Sequence, residues 1–158
     1  MRDDQRIIID TASTQRPGES PLADQIGPLR HRLTSLLESH GIECRWSIAG
    51  LDRCYLPPSK SIDVMRILQE ALTNVFKHSR ASQVEIELHS DERELALAVR
   101  DNGIGFDPAA LQQHAGTGMR SMQARAQRLG GTLRIRSAAG LTALDMQVAR
   151  AETEPMLR

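Results

Sequence analysis

Aromatic side chains are the scarcest class in this chain: its 158 residues include one Trp, one Tyr and two Phe, 3% in all. Trp46, Tyr55, Phe76 and Phe106 offer few stacking platforms for single-stranded nucleic acid, and the core has to be aliphatic. Cysteine is nearly as rare. Cys44 and Cys54 lie ten apart without the paired spacing of a zinc site, and two thiols are too few for a disulfide framework, so reduced cytosolic thiols are expected. Net charge is missing as well. Twenty Lys+Arg balance twenty Asp+Glu, so no global field draws the chain to nucleic acid or to an anionic membrane. No apolar run is long enough for a bilayer crossing, and Met1, Arg2, Asp3 and Asp4 do not open a signal segment. A soluble chain is expected.

What is present is enough for a folded domain. A composition 40% hydrophobic and 25% charged excludes wholesale disorder, and the length fits one domain with a short arm. Residues 15–21 carry Pro17, Gly18 and Pro21 among polar residues and read as a linker. Over residues 22–40, Leu22, Ile26, Leu29, Leu33, Leu36 and Leu37 form a helical stripe that Gly41 stops, with Pro28 as its true start or a kink. Ile42, Cys44, Trp46 and Ile48 alternate as a strand. Pro57 and Pro58 break the chain before the longest helical pattern, residues 61–79. Two strands follow, 84–88 and 95–99, joined by a polar turn at 90–93. Residues 101–118 are irregular, 119–129 read as a helix ended by Gly130 and Gly131, and a last hairpin pairs 133–135 with 144–148. This order predicts an α+β sandwich, with helices on one face of a mixed, mostly antiparallel sheet.

Three segments carry chemistry. On the long helix, Glu70, Asn74 and Lys77 fall at i, i+4 and i+7, so they share a face with His78 at its edge. A carboxylate and an amide one turn apart are hard oxygen donors that suit Mg²⁺ better than zinc or copper, and the lysine and imidazole could meet phosphate. A solvated amphipathic face accounts for the same residues. In the second segment, Asp101 continues the side of Leu95, Leu97 and Val99, and a carboxylate on an apolar face needs a partner. The exocyclic amino group of a ligand would serve, with Gly103 and Gly105 letting the backbone approach a flat ring. An ordinary Asx turn at a strand end is the competing account. Third, Gly116, Thr117, Gly118 and Met119 feed a loop into a helix, where free main-chain N–H groups favour anions. A plain helix entry would look the same, and neither the P-loop nor the dinucleotide spacing is present.

Taken in order, Glu70-x-x-x-Asn74 on a helix, Asp101-x-Gly103-x-Gly105 after a strand and Gly116-x-Gly118 before a helix resemble the GHKL ATPase superfamily. That group includes DNA gyrase, MutL-type proteins and histidine kinases. The likeness runs over roughly residues 59–150. The chain is most similar to the catalytic domain of sensor histidine kinases of the NarX/DesK type. That likeness rests on Arg66 to Asn74 leading into Lys77, His78 and Ala81, on Asp101 to Phe106, on Gly116 to Met122, and on Arg128 to Leu133.

The resemblance implies a Bergerat-type two-layer α/β sandwich that binds ATP and Mg²⁺. It implies that Asn74 holds Mg²⁺ between the phosphates and Glu70 acts near the γ-phosphate as a polarising or basic group. Lys77 and His78 would contact phosphates, and Asp101 would accept from the adenine amino group in a pocket shaped by Gly103 and Gly105. Residues 107–115 would form a short lid, with Gly116, Thr117, Gly118 and Met119 on the phosphates and Thr142 supporting the adenine side. Leu141 stands where the family usually has glycine, and Phe76 where a smaller residue is usual. His31 is followed by Arg32 rather than an acidic residue, so it reads as a solvated helix residue and not as a phosphoacceptor.

The expected organisation is an arm at 1–21, the end of a dimerisation helix plus linker; a catalytic domain at 22–150; and a frayed tail at 151–158. The expected partners are the dimerisation and phosphoacceptor helices of a homodimeric parent and a response regulator, with no nucleic acid. The piece itself is expected to be a monomer that binds ATP without phosphorylating itself. Its expected place is the cytoplasm, and the parent could sit in the bacterial inner membrane. A stand-alone serine kinase of the anti-sigma-factor type and a non-catalytic nucleotide-binding module are the alternatives.

Overall fold

Helix α1 (Leu22–Ser39) buries Leu22, Ile26, Leu29, Leu33 and Leu37, the stripe expected of an amphipathic helix. It begins before Pro28, which therefore lies inside the helix and does not start it. The helix ends where Gly41 takes a left-handed φ of 80°, with Ile42 N–H donating to Leu37 C=O and Gly41 N–H to Glu38 C=O. His31 is exposed on this helix. The structure is a computed structural model that describes residues 20–104, 117–138 and 140–150. Residues 1–19 of the arm, the lid at 107–115 and the tail at 151–158 lie outside those residues.

Strand β1 (Glu43–Ala49) turns Cys44, Trp46 and Ile48 toward the core. Trp46 Nε1 donates to Thr34 Oγ1 over 2.8 Å, and the Arg30 guanidinium lies 5.5 Å above the indole, so α1 is fastened across β1. Helix α2 (Pro58–Asn74) starts three residues earlier than the periodicity indicated. Pro58 occupies the first helical position, where its missing N–H costs nothing, so the Pro57-Pro58 pair opens the helix as well as breaking the chain before it. The far end also differs from expectation. The α-helix stops at Asn74 and continues as a π turn, Val75–Ser79, closed by Arg80 at a left-handed φ of 55°.

Strands β2 (Gln83–Ser90) and β3 (Glu94–Asp101), helix α3 (Thr117–Arg128), and strands β4 (Gly131–Ala138) and β5 (Leu141–Ala149) follow, and a 3-10 turn, Leu51–Arg53, lies between β1 and α2. The sheet runs β1-β2-β3-β5-β4; β1 and β2 are parallel and every other neighbouring pair is antiparallel. Val84, Ile86 and Leu88, then Leu95, Leu97 and Val99, then Leu144, Met146 and Val148 form one apolar face, joined in a single cluster with the buried sides of α1, α2 and α3. The opposite face is polar. There Arg100 pairs with Glu87 at 3.2 Å, Arg136 pairs with Asp145 at 3.2 Å, and the buried Ala143 sits in register between the two arginines. A sheet apolar on one side and ionic on the other takes helices on one side only, giving two layers. Both cysteines are free thiols, Cys44 half-buried and Cys54 buried.

Leu97 lies at the middle of the central strand and is 1% exposed, so Leu97→Ala is expected to lower unfolding free energy by about 2–5 kcal/mol in a urea titration. Leu141→Ala, at a half-exposed hairpin end, should stay within about 0.5 kcal/mol of wild type.

Candidate functional site

Asp101 is the last residue of β3 and keeps the parity of its strand, so it falls on the apolar face beyond Val99 and is 5% exposed. Its Oδ1 accepts from Gly103 N–H at 2.8 Å. The turn and the buried acceptor, set against each other on sequence grounds, are both present. The Asx turn holds one oxygen still while the strand keeps the carboxylate on the core side. Burial pushes the Asp101 carboxyl above its ordinary value, and the Gly103 hydrogen bond offsets part of that rise. Thr142 stands directly opposite Asp101 in the β3–β5 register, on the same face, with its Oγ1 3.2 Å from Ser137 Oγ.

Asn102 holds this corner together, and the sequence did not single it out. Its Oδ1 accepts from Ser82 N–H at 2.9 Å and Gln83 N–H at 3.0 Å, and its Nδ2 donates to Ser82 Oγ at 2.9 Å. One side chain thus ties the exit of β3 to the entry of β2, just after the π turn. Asn between Asp and Gly does signal a turn, but its partners some twenty residues away leave no local trace. Gly103 C=O accepts from Gly140 N–H, so the β4–β5 hairpin end joins the same corner.

Across the core, α2 packs against β3 and α3. Glu70 and Asn74 are half-buried, one α-helical turn apart, on the last two turns of α2. Lys77 is exposed, and it lies beyond the point where the α-helix becomes a π turn. The expectation that Lys77 shares the face of Glu70 and Asn74 assumed an unbroken α-helix, and the wider turn removes that basis. Phe76 lies in the same turn, and its bulk is met by His40 at the end of α1, ring centroids 4.5 Å apart at 81°. Thr117, Gly118 and Met119 form the first turn of α3, with Met119 buried at 3%. Gly105 and Gly116 lie outside the described residues, as do the side chains of His78 and Thr117.

Among the described residues no three His, Cys, Asp or Glu side chains converge on a metal site. A cation here would complete its shell from ligand and water oxygens. Mg²⁺ does this with one or two protein oxygens, and the amide of Asn74 with the carboxylate of Glu70 fits that donor chemistry.

Residues 59–149 match the family described as histidine kinase-, DNA gyrase B-, and HSP90-like ATPase. The chain is 34% identical over 111 residues to the signal transduction histidine-protein kinase/phosphatase UhpB of Salmonella typhimurium, covering 68% of this chain and 22% of that protein. It is 36% identical over 118 residues to the sensor histidine kinase LiaS of Bacillus subtilis, covering 71% and 31%. The chain therefore spans under a third of the length of these curated relatives. Among solved structures, the histidine kinase domain of the Erythrobacter litoralis EL346 blue-light activated histidine kinase superposes with a TM-score of 0.69 at 18% identity, over 87% of this chain and 65% of that one. At that identity the superposition establishes the fold.

The raised Asp101 carboxyl has a stability consequence with a definite sign. Its folded-state pKa lies above the unfolded value, so its contribution is fully present below the unfolded pKa and is lost as pH rises through the folded one. At neutral pH the ionised group therefore opposes folding. Asp101→Asn is expected to match or exceed the wild-type melting temperature at pH 7, and to lose that advantage near pH 3.5, as read by calorimetric scans at both pH values.

Proposed function

The chain belongs to the histidine kinase-, DNA gyrase B- and HSP90-like ATPase family, as an ATP-binding catalytic domain of the sensor histidine kinase kind, and from that premise we propose how its residues divide the work. Asp101 accepts a hydrogen bond from the adenine amino group, with Thr142 beside it on the same face and the backbone at Gly103 and Gly105 shaping the pocket. Asn74 holds Mg²⁺, and Glu70 acts near the γ-phosphate as a polarising or basic group. Lys77, His78 and the main-chain N–H groups from Gly116 to Met119 contact the phosphates. Bound there, Mg²⁺ supplies charge neutralisation and orientation of the phosphate chain.

Residues 22–150 form the catalytic domain in this reading, since α1 and β1 share one core with the elements of the matched segment. The γ-phosphate passes to a histidine on a separate dimerisation helix pair of a homodimeric parent, and from there to a response regulator. The names of the relatives support that assignment, and phosphoryl transfer asks a protein mainly for positioning and electrostatics. None of the described helices is long and apolar enough to cross a membrane; we place the domain on the cytoplasmic side of a sensor kinase.

The observation that carries the proposal is the buried Asp101 carboxylate, held by Gly103 at the end of the central strand. Titration calorimetry tests it. ATP is expected to bind the wild-type chain, and Asp101→Ala to weaken that binding by about 2–4 kcal/mol through the lost pairing. Asn74→Ala should remove the dependence of binding on Mg²⁺. Unchanged ATP affinity in Asp101→Ala would contradict the adenine assignment.

A further inference from the structure

The nucleotide chemistry proposed for α2 leaves the buried charge of Asp63 unused. Asp63, in the second turn of the helix, is 6% exposed and has buried Val64, Met65 and Ile67 as near neighbours in sequence. Two arginines of α3 reach it. Arg128 Nη2 donates to Oδ1 at 2.8 Å and its Nε to Oδ2 at 3.3 Å, a two-point fork, while Arg125 Nη1 donates to Oδ1 at 3.3 Å. A buried ion pair of this kind is commonly no more stabilising than an apolar replacement of the same volume. What it adds is geometry. A planar guanidinium that engages both carboxylate oxygens fixes distance and direction, and a second arginine one turn away on the same helix fixes how that helix is rotated.

The site lies along the same line. Asp63, Glu70 and Asn74 fall at i, i+7 and i+11, which places them on one stripe of α2. The fork joins the last turn of α3 to the beginning of α2, and the two helices pack against one another. The first turn of α3 therefore lies toward the end of α2 that carries Glu70 and Asn74. The lengths agree: from Arg128 to Thr117 and from Asp63 to Asn74 are both eleven residues, about 16 Å of helix.

We propose that Asp63 is a positioning residue for the phosphate end of the nucleotide site. Through Arg125 and Arg128 it sets where the first turn of α3, Thr117 to Met119, stands relative to Glu70 and Asn74. The proposal rests on the reading of that turn and of Asn74 as the phosphate side. Asp101, held by the sheet and the Asn102 clamp, is independent of this link. Loss of Asp63 is therefore felt by the triphosphate and not by the adenine ring.

Calorimetry on the whole chain with ATP and Mg²⁺, and competition by adenosine, separates the two ends of the ligand. Asp63→Asn is expected to weaken ATP about tenfold and to leave adenosine unchanged. Arg128→Lys, a charge-preserving change at a half-exposed side chain that removes the fork, should shift the ATP-to-adenosine ratio in the same direction, and it serves as the test should Asp63→Asn fail to fold. Ile86→Val, which loosens the core elsewhere, should lower the melting temperature without moving that ratio. An unchanged ratio in Arg128→Lys and in folded Asp63→Asn would overturn the proposal, as would equal losses of ATP and adenosine. Asn74→Ala distinguishes the underlying reading. If it removes the Mg²⁺ dependence of ATP binding and leaves adenosine unchanged, that reading stands whatever Asp63 does; if ATP binding keeps its Mg²⁺ dependence, reading and proposal fall together.

Discussion

A carboxylate on the apolar side of a sheet is costly unless its surroundings compensate for it, and Asp101 is held in that position by the alternation of its own strand. Leu95, Leu97 and Val99 need the core, and parity carries Asp101 along with them. Moving the carboxylate outward would require a one-residue slip of β3, which would turn the whole apolar set to the polar face. The strand is central, paired on one side with β2 and on the other with β5, so that slip would break two ladders. The Asx turn to Gly103 and the opposing Thr142 complete the surroundings. The corner is rigid because the sheet is.

Around that corner, individual polar side chains connect elements that the core alone would leave free to slide. Asn102 ties the exit of β3 to the entry of β2, and Asp63 ties α2 to α3. Trp46 ties β1 to α1 through Thr34. Each link adds little net free energy, since the partners would otherwise bond water. Apolar packing is tolerant of small displacements and hydrogen-bond geometry is not, so these links fix registry where burial supplies stability. A site that must hold a ring at one end and a chain of phosphates at the other depends on such registry more than on total stability.

Much of this was legible in the sequence, for identifiable reasons. The stripe of α1, the alternation of β1 to β5 and the inward parity of Asp101 all follow from periods of 3.6 and 2 that the core enforces. The ordered motifs of the site are local, so the sequence carried them too. The π turn at Val75–Ser79 was not legible, because no proline or glycine marks it and its residues suit an α-helix equally well. The start of α2 is ambiguous in the sequence because Pro57 and Pro58 signal a break and a first helical position with the same residue type. Asn102 and Asp63 leave no mark in the sequence for a different reason. A polar residue in a turn, or near the start of an amphipathic helix, looks solvated until the fold brings its partner across from another element.

The central claim is that the buried Asp101 carboxylate selects a purine with an amino group at its six-position. The most direct measurement compares ATP with inosine triphosphate, which carries a carbonyl oxygen there, by titration calorimetry against the wild-type chain at neutral pH. A donor replaced by an acceptor sets two oxygens against each other, so inosine triphosphate is expected to bind at least about tenfold more weakly than ATP. Equal affinity for the two nucleotides would contradict the account.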